Sequence, residues 1–262
     1  MLSILMIKDD YKKDFTLFKK FEKERKPLIN SPKFEEIYEV SYIIYNLLPS
    51  SKLDSELNNY SNLIKRDLVS AIDLINLQHF ESSKRDLRSM IETVFRLILY
   101  IFKGYIYLKR KERKIYGSSY QISSIRSALD TYKIGKLTQL IDNLFKDDII
   151  YNDIKPLLDY YSSFSNTVHT NNAKENIFHN DLTTLTTHTS NEFENFSKDV
   201  LLVLIHTIGI IYFSRLILFS NDSLSQQNFY YINRILSTYT HDNNYLLKLQ
   251  NNYLNGIFID FN

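Results

Sequence analysis

Apolar residues recur along most of this chain at the three-to-four-residue spacing that lines one face of an α-helix. The cleanest run is Leu53, Leu57, Tyr60, Ile64, Leu68, Ile72 and Ile75, which predicts a helix reaching residue 77. After a break at Gln78-His79 a second long helix carries Leu87, Ile91, Val94, Leu97, Ile98 and Ile101 as its core side. It ends in Lys109-Arg110-Lys111-Glu112-Arg113-Lys114, a basic end suited to a C-terminus because cations oppose the negative pole of the helix dipole. Upstream, residues 12–26 predict a charged helix with Phe15, Phe18 and Phe21 as a narrow seam, ended by Pro27. Ser31-Pro32 restarts a helix in the favoured cap-then-proline order, running to Pro49, and Ser50 or Ser51 is expected to cap the next one. Downstream come short helices at 124–131 and 136–145, a helix at 153–164 with Ile154, Leu157, Leu158 and Tyr161 inward, and a loop at 171–180. A long helix at 185–219 follows, then two amphipathic helices at 226–238 and 244–254.

Residues 200–219 are nearly continuous apolar sequence of membrane-spanning length. His206, Ser214 and Arg215 interrupt the run, and Glu192, Glu194 and Asp199 stand in the turns before it. A central helix surrounded by its own bundle produces the same pattern, so no membrane partner is expected.

Composition sharpens the fold class. Five glycines and four prolines in 262 residues, the last proline at position 156, leave few breaks for anything but helices. The expectation is an all-α, single-domain helical bundle over residues 51–220, with an N-terminal helical appendage at 1–50 and a C-terminal helical pair at 221–262 packed on it. A net charge of +2 argues against coating nucleic acid by bulk electrostatics and leaves room for a local basic patch. The absence of cysteine removes disulfides, thiolate catalysis and cysteine zinc sites. Met1 to Ile7 is short for a signal core and runs at once into Lys8-Asp9-Asp10, so no export is indicated and a cytoplasmic location is expected. His179 and His188 are nine apart, which is not a metal-ligand spacing, and there is no His-Glu-x-x-His pattern or glycine-rich phosphate loop. No metal and no cofactor is expected.

Two constellations carry candidate chemistry. Arg85, Arg88, Glu92 and Arg96 follow the i, i+3, i+7, i+11 spacing of one helical stripe. Charges beside so apolar a surface need a partner, a wet groove or a ligand. An Arg88–Glu92 ion pair that docks the helix is the plain structural expectation. The second constellation is Tyr161-Ser162-Ser163-Phe164-Ser165-Asn166-Thr167-Val168-His169, a run of small polar groups that weakens a helix end and stops on a histidine. His169 at such a place suits either a helix cap or a site. His206, inside the most apolar helix, is expected to bond a backbone carbonyl, and the run at 109–114 reads first as a solvated helix end.

Together the two constellations resemble the HEPN superfamily of prokaryotic helical proteins. The resemblance is to the branch with an Arg-x-x-x-Glu-like helix followed by a Tyr-x-x-Leu-Ser-x-x-Val-His segment. The first motif appears as Leu87-Arg88-Ser89-Met90-Ile91-Glu92 and the second as Tyr161, Phe164, Ser165, Val168 and His169, and the likeness covers roughly residues 53–219. It implies a HEPN-like bundle in a toxin-antitoxin, abortive-infection or other antiphage system. The implied activity is metal-independent endoribonuclease, with His169, Arg88 and Glu92 catalytic and Arg85, Ser165 and Asn166 on the substrate. It also implies RNA, an antitoxin or other defence-system protein as partners, and a homodimer. The chain departs from the nuclease pattern at residues 162–164, where an arginine is expected and Ser162, Ser163 and Phe164 stand instead. That departure leaves open a non-catalytic helical module binding a protein partner or nucleotide.

Overall fold

The computed structural model describes residues 27–49, 54–115, 119–131, 134–168, 190–218, 224–240 and 242–254. The predicted helix at 12–26 and the loop at 171–180 lie outside them. Every regular element among the described residues is helical. A 3-10 turn, Leu28–Asn30, leads into α1 (Pro32–Leu47), α2 (Ser55–Asn76), α3 (Phe80–Glu112), α4 (Tyr120–Asp130) and α5 (Ile134–Phe145). Then follow α6 (Tyr151–Val168), α7 (Ser190–Leu218), α8 (Gln226–Thr240) and α9 (Tyr245–Leu254). The chain is an all-α helical bundle.

Local signals set the helix ends. Pro32 opens α1 at the position where its missing N–H is not needed. The cap of α2 is Asp54, whose carboxylate accepts from the Leu57 N–H at 2.9 Å, rather than Ser50 or Ser51; an ionised cap also answers the positive pole of the helix. Between α2 and α3 the chain reverses in three residues, with Gln78 in the left-handed region at φ 61°. The His79 N–H then reaches back to the Leu74 carbonyl at 2.8 Å, satisfying the end of α2.

α3 and α7 form the centre. α3 packs on α2, α4, α5, α6 and α7, and α7 packs on α1, α3, α6, α8 and α9. Leu87, Met90, Ile91, Val94, Phe95, Ile98 and Phe102 of α3 are wholly buried, as are Val203, Leu204, Ile208, Ile211 and Phe213 of α7. Aromatic rings join the helices: Phe102 meets Phe145 of α5 at 5.0 Å, and Phe145 meets Phe213 edge-on at 6.3 Å. α7 is apolar all round because it is enclosed all round. Its most apolar window is 78% buried by the protein's own helices, as the bundle reading of residues 200–219 requires.

The appendage boundary does not hold for α1. Ile37, Val40 and Ile44 are buried in the common core, and α1 lies along α7. Arg215 of α7 donates to the Leu47 carbonyl at 3.1 Å, taking up an acceptor that the end of α1 leaves open. The charge at Arg215 that interrupts the apolar run therefore serves a helix terminus. At the far end α8 and α9 pack on each other and on α7, burying Ile232, Leu236, Tyr245, Leu246 and Leu249.

Candidate functional site

The core stripe of α3 fixes the direction of its charged stripe. With Leu87 and Ile91 wholly buried, Arg88 falls at the edge of the interface where α3 meets α6. Its guanidinium crosses to α6 and is held by two hydroxyls. Nε donates to Ser165 Oγ at 2.8 Å and a terminal N–H donates to the Tyr161 hydroxyl, also at 2.8 Å. The guanidinium carbon lies 4.9 Å from the centre of the Tyr161 ring, within cation–π range. Ser165 in turn donates to the Tyr161 carbonyl at 2.7 Å, which orients its oxygen to accept from Arg88. The two sequence constellations meet at this point.

No carboxylate of the described residues pairs with Arg88. Hydroxyls satisfy two of the five guanidinium N–H groups without cancelling the charge, and Arg88 is half-buried, so a positive group with donors to spare stands beside Ser165. Such a group can bind an anionic oxygen more strongly than an exposed arginine does, because fewer waters compete with it.

Glu92 does not belong to this cluster. Its carboxylate pairs with Arg96 one turn further on at 2.9 Å, not with Arg88. Arg96 also donates to the Leu129 carbonyl at 3.1 Å and the Thr131 carbonyl at 3.5 Å, at the end of α4. The expected Arg88–Glu92 pair is replaced because Arg96 sits between Glu92 and the open carbonyls of α4, while Arg88 is drawn the other way by α6. Arg85 is exposed on α3, Asn166 falls in the last turn of α6, and His169 lies outside the described residues.

A buried network that the sequence reading missed lies at the other end of α6. Asp153 is 2% exposed. One of its oxygens is 2.9 Å from His206 Nδ1, and the other accepts a hydrogen bond from the Tyr245 hydroxyl. His206 thus bonds a carboxylate on α6, not the backbone carbonyl expected of it. Burial pushes the Asp153 carboxyl above the usual carboxylate range, against the pull of its bonds to His206 and Tyr245. Burial, with the charge of Asp153 added, raises the Tyr245 phenol as well. Gly209 makes room for the cluster, since a Cβ there would lie 2.5 Å from Asp153 Cγ. A signal was present in the chain: Asp153 falls beside Ile154 and Leu157 on the apolar face of α6, just after Ile150, where an unpaired carboxylate is costly. No serine or threonine hydroxyl among the described residues bonds the second imidazole nitrogen, so the cluster ties α6, α7 and α9 together and presents no nucleophile.

Among the described residues no three His, Asp or Glu side chains converge to hold a metal ion. Arg88, Tyr161 and Ser165 are therefore the cluster that joins both sequence constellations, and neither a family model, nor a curated protein, nor a solved structure matches this chain.

Proposed function

We propose that this chain is a HEPN-like protein of a prokaryotic defence or toxin-antitoxin system, located in the cytoplasm and acting on RNA as a metal-independent endoribonuclease. The observation that supports the reading is the reach of Arg88 from α3 to Ser165 and Tyr161 on α6. It joins the two motifs that carry the resemblance and puts an uncompensated guanidinium beside Ser165, which stands four residues before His169 in the sequence. In this reading His169 accepts the proton of a ribose 2′-hydroxyl as its oxygen bonds to the adjacent phosphorus. The bond from phosphorus to the 5′ oxygen then breaks, and that oxygen takes up a proton from the imidazolium or from water. Arg88 steadies the charge that gathers on the phosphoryl oxygens, in place of the arginine missing from residues 162–164. Ser165 and Tyr161 position the guanidinium, and Glu92, committed to Arg96, takes no part.

The reading includes a homodimer. Tyr38, Tyr42 and Tyr45 of α1, with Val69 of α2, leave an apolar groove of about 400 Å³ on the outside of the bundle that a second copy would cover. A monomeric mass by light scattering at micromolar concentration would remove that part of the proposal.

The deciding experiment is cleavage of cellular RNA by purified protein in EDTA. Wild type should cut and leave 2′,3′-cyclic phosphate ends, and His169→Ala should not cut at matched folding. Cleavage that survives in His169→Ala, or that EDTA stops, refutes the mechanism. If neither protein cuts, the second reading holds: a non-catalytic helical module that binds a protein partner or nucleotide. Two features favour it, the lack of an arginine at 162–164 and the sufficiency of Arg88 as a structural tie between α3 and α6.

A further inference from the structure

The charge of the chain is unevenly placed. Residues 103–136 hold nine lysines and arginines against two acids, a net of +7 in a protein whose total is +2, so the remainder is net acidic. The described parts of this segment, the end of α3, α4 and the start of α5, belong to helices that pack against one another. Arg96 pins the last carbonyls of α4 to the middle of α3. Tyr120, the first residue of α4, stands at the opposite end of that helix, ten residues and about 15 Å from Asp130. α5 packs against both helices.

Between α4 and α5 lies an open hollow of about 560 Å³, lined by Tyr120, Ser123, Ser127, Lys136, Gln139 and Asn143 among others. Ser123 and Ser127 also line a second hollow with Arg126 and Asp130, so the two hollows adjoin along α4 and together make a shallow trough. Several cations pair with an acid three to six residues away: Lys33 with Glu36, Lys84 with Glu81, Lys109 with Glu112 at the basic end of α3, Lys155 with Asp159 and Lys248 with Asp242. Those of the trough do not. Arg126 has Asp130 one turn away and makes no ion pair with it, and Lys136 has no acidic partner among the described residues. The hydroxyls of Ser123 and Ser127 and the amides of Gln139 and Asn143 likewise make no hydrogen bond within the described protein. Tyr120 is 88% exposed, which leaves its ring faces open at the mouth of the trough.

We infer that this trough and the basic end of α3 form a binding surface for single-stranded RNA, separate from the Arg88 cluster. The inference rests on the reading of the chain as a protein that acts on RNA. Arg126 and Lys136, with the cations at the end of α3, supply phosphate contacts, the small hydroxyls and amides bond phosphate and ribose oxygens, and Tyr120 stacks on an unpaired base. A duplex fits less well, since its stacked bases offer the ring no face. A free mononucleotide leaves most of the surface unused: α4 alone is about 16 Å long. The trough would hold the strand while Arg88 and the residues after Ser165 act on one phosphodiester of it.

The test is fluorescence anisotropy of a labelled single-stranded RNA of about 20 nucleotides, titrated with the full-length protein across a range of salt concentrations. Wild type should bind with a salt slope that shows several phosphates neutralised. Arg126→Ala and Lys136→Ala should each lower that slope by about 0.7, and Tyr120→Ala should weaken binding about tenfold while Tyr120→Phe retains it. Arg88→Ala, checked to be folded, should abolish cleavage and weaken binding less than the trough variants do, as expected where the strand is held mainly elsewhere. Trough variants that bind as wild type, beside an Arg88→Ala that does not, would overturn this inference and leave the RNA reading standing. Binding that depends on the trough, in a protein that cuts no RNA, would uphold the inference and refute the nuclease reading. A wild type that neither binds nor cuts RNA would overturn both.

Discussion

At the residue scale Gly209 and Asp153 are in close contact across α6 and α7. The Asp153 carboxylate is held from two sides, by His206 and by Tyr245, so it cannot move away from a methyl group added at Gly209. Gly209→Ala should cost about 1–3 kcal/mol as an overpacking substitution. Its cost should fall in an Asp153→Ser background, and equal costs in both backgrounds, measured by urea unfolding, would show the contact is not the cause. The same carboxyl sets a pH dependence. Its folded value is raised by burial, so between the unfolded value, about 3.9, and the folded one the native state binds the extra proton. Its contribution to stability is fully present below the unfolded value and is lost as pH rises through the folded value. Asp153→Asn cannot ionise and should lose less stability than wild type from about pH 4 upward. Parallel stability curves for the two proteins would assign the slope to other groups.

At the scale of elements, two arginines tie helix ends that their own helices cannot satisfy. Arg215 serves the end of α1, and Arg96, oriented by Glu92, serves the end of α4. Arg96→Met should cost about 1–3 kcal/mol, because two carbonyls lose their donor and Glu92 is left beside the core. Hydrogen exchange should quicken selectively at the end of α4, and uniform quickening over the whole chain would show a general loss of stability instead. Glu92→Gln keeps an acceptor for Arg96 and should cost less than about 1 kcal/mol. If the proposed function holds, it should also cut RNA at nearly the wild-type rate, and loss of cleavage in a folded Glu92→Gln would return Glu92 to the catalytic site.

For the whole molecule, α7 is the axis on which the other helices assemble. Its apolar surface is covered by α1, α3, α6, α8 and α9, so the protein should stay in the supernatant without detergent. Recovery of untagged protein only with membranes would contradict the buried placement. Phe213, wholly buried and edge-on to Phe145, should cost about 3–5 kcal/mol as Phe213→Ala. A cost below about 1 kcal/mol in thermal and urea unfolding would mean that the α5–α7 contact is looser than it is drawn.

The helices and their inward faces were legible in the sequence because both depend on short-range spacing. Leu87 through Ile101 on α3 and Ile64, Leu68 and Ile75 on α2 are buried where a period of 3.6 places them, and Pro32 and the Gln78-His79 break mark ends that local geometry enforces. The four charges on α3 were also placed on one stripe by that period. Which of them meet was decided by packing. Arg88 turned to Ser165, 77 residues away, and Glu92 turned to Arg96 because α4 brought its open carbonyls there. Asp153, His206 and Tyr245 lie on three helices separated by 53 and 92 residues from Asp153, and no local pattern names their partners. The placement of α1 in the core was hidden for the same reason, since its amphipathic face says that it packs and only α7 says where. Periodicity is a property of neighbours along the chain, whereas a polar group buried in a bundle takes whichever partner the crossing helices bring within about 3 Å.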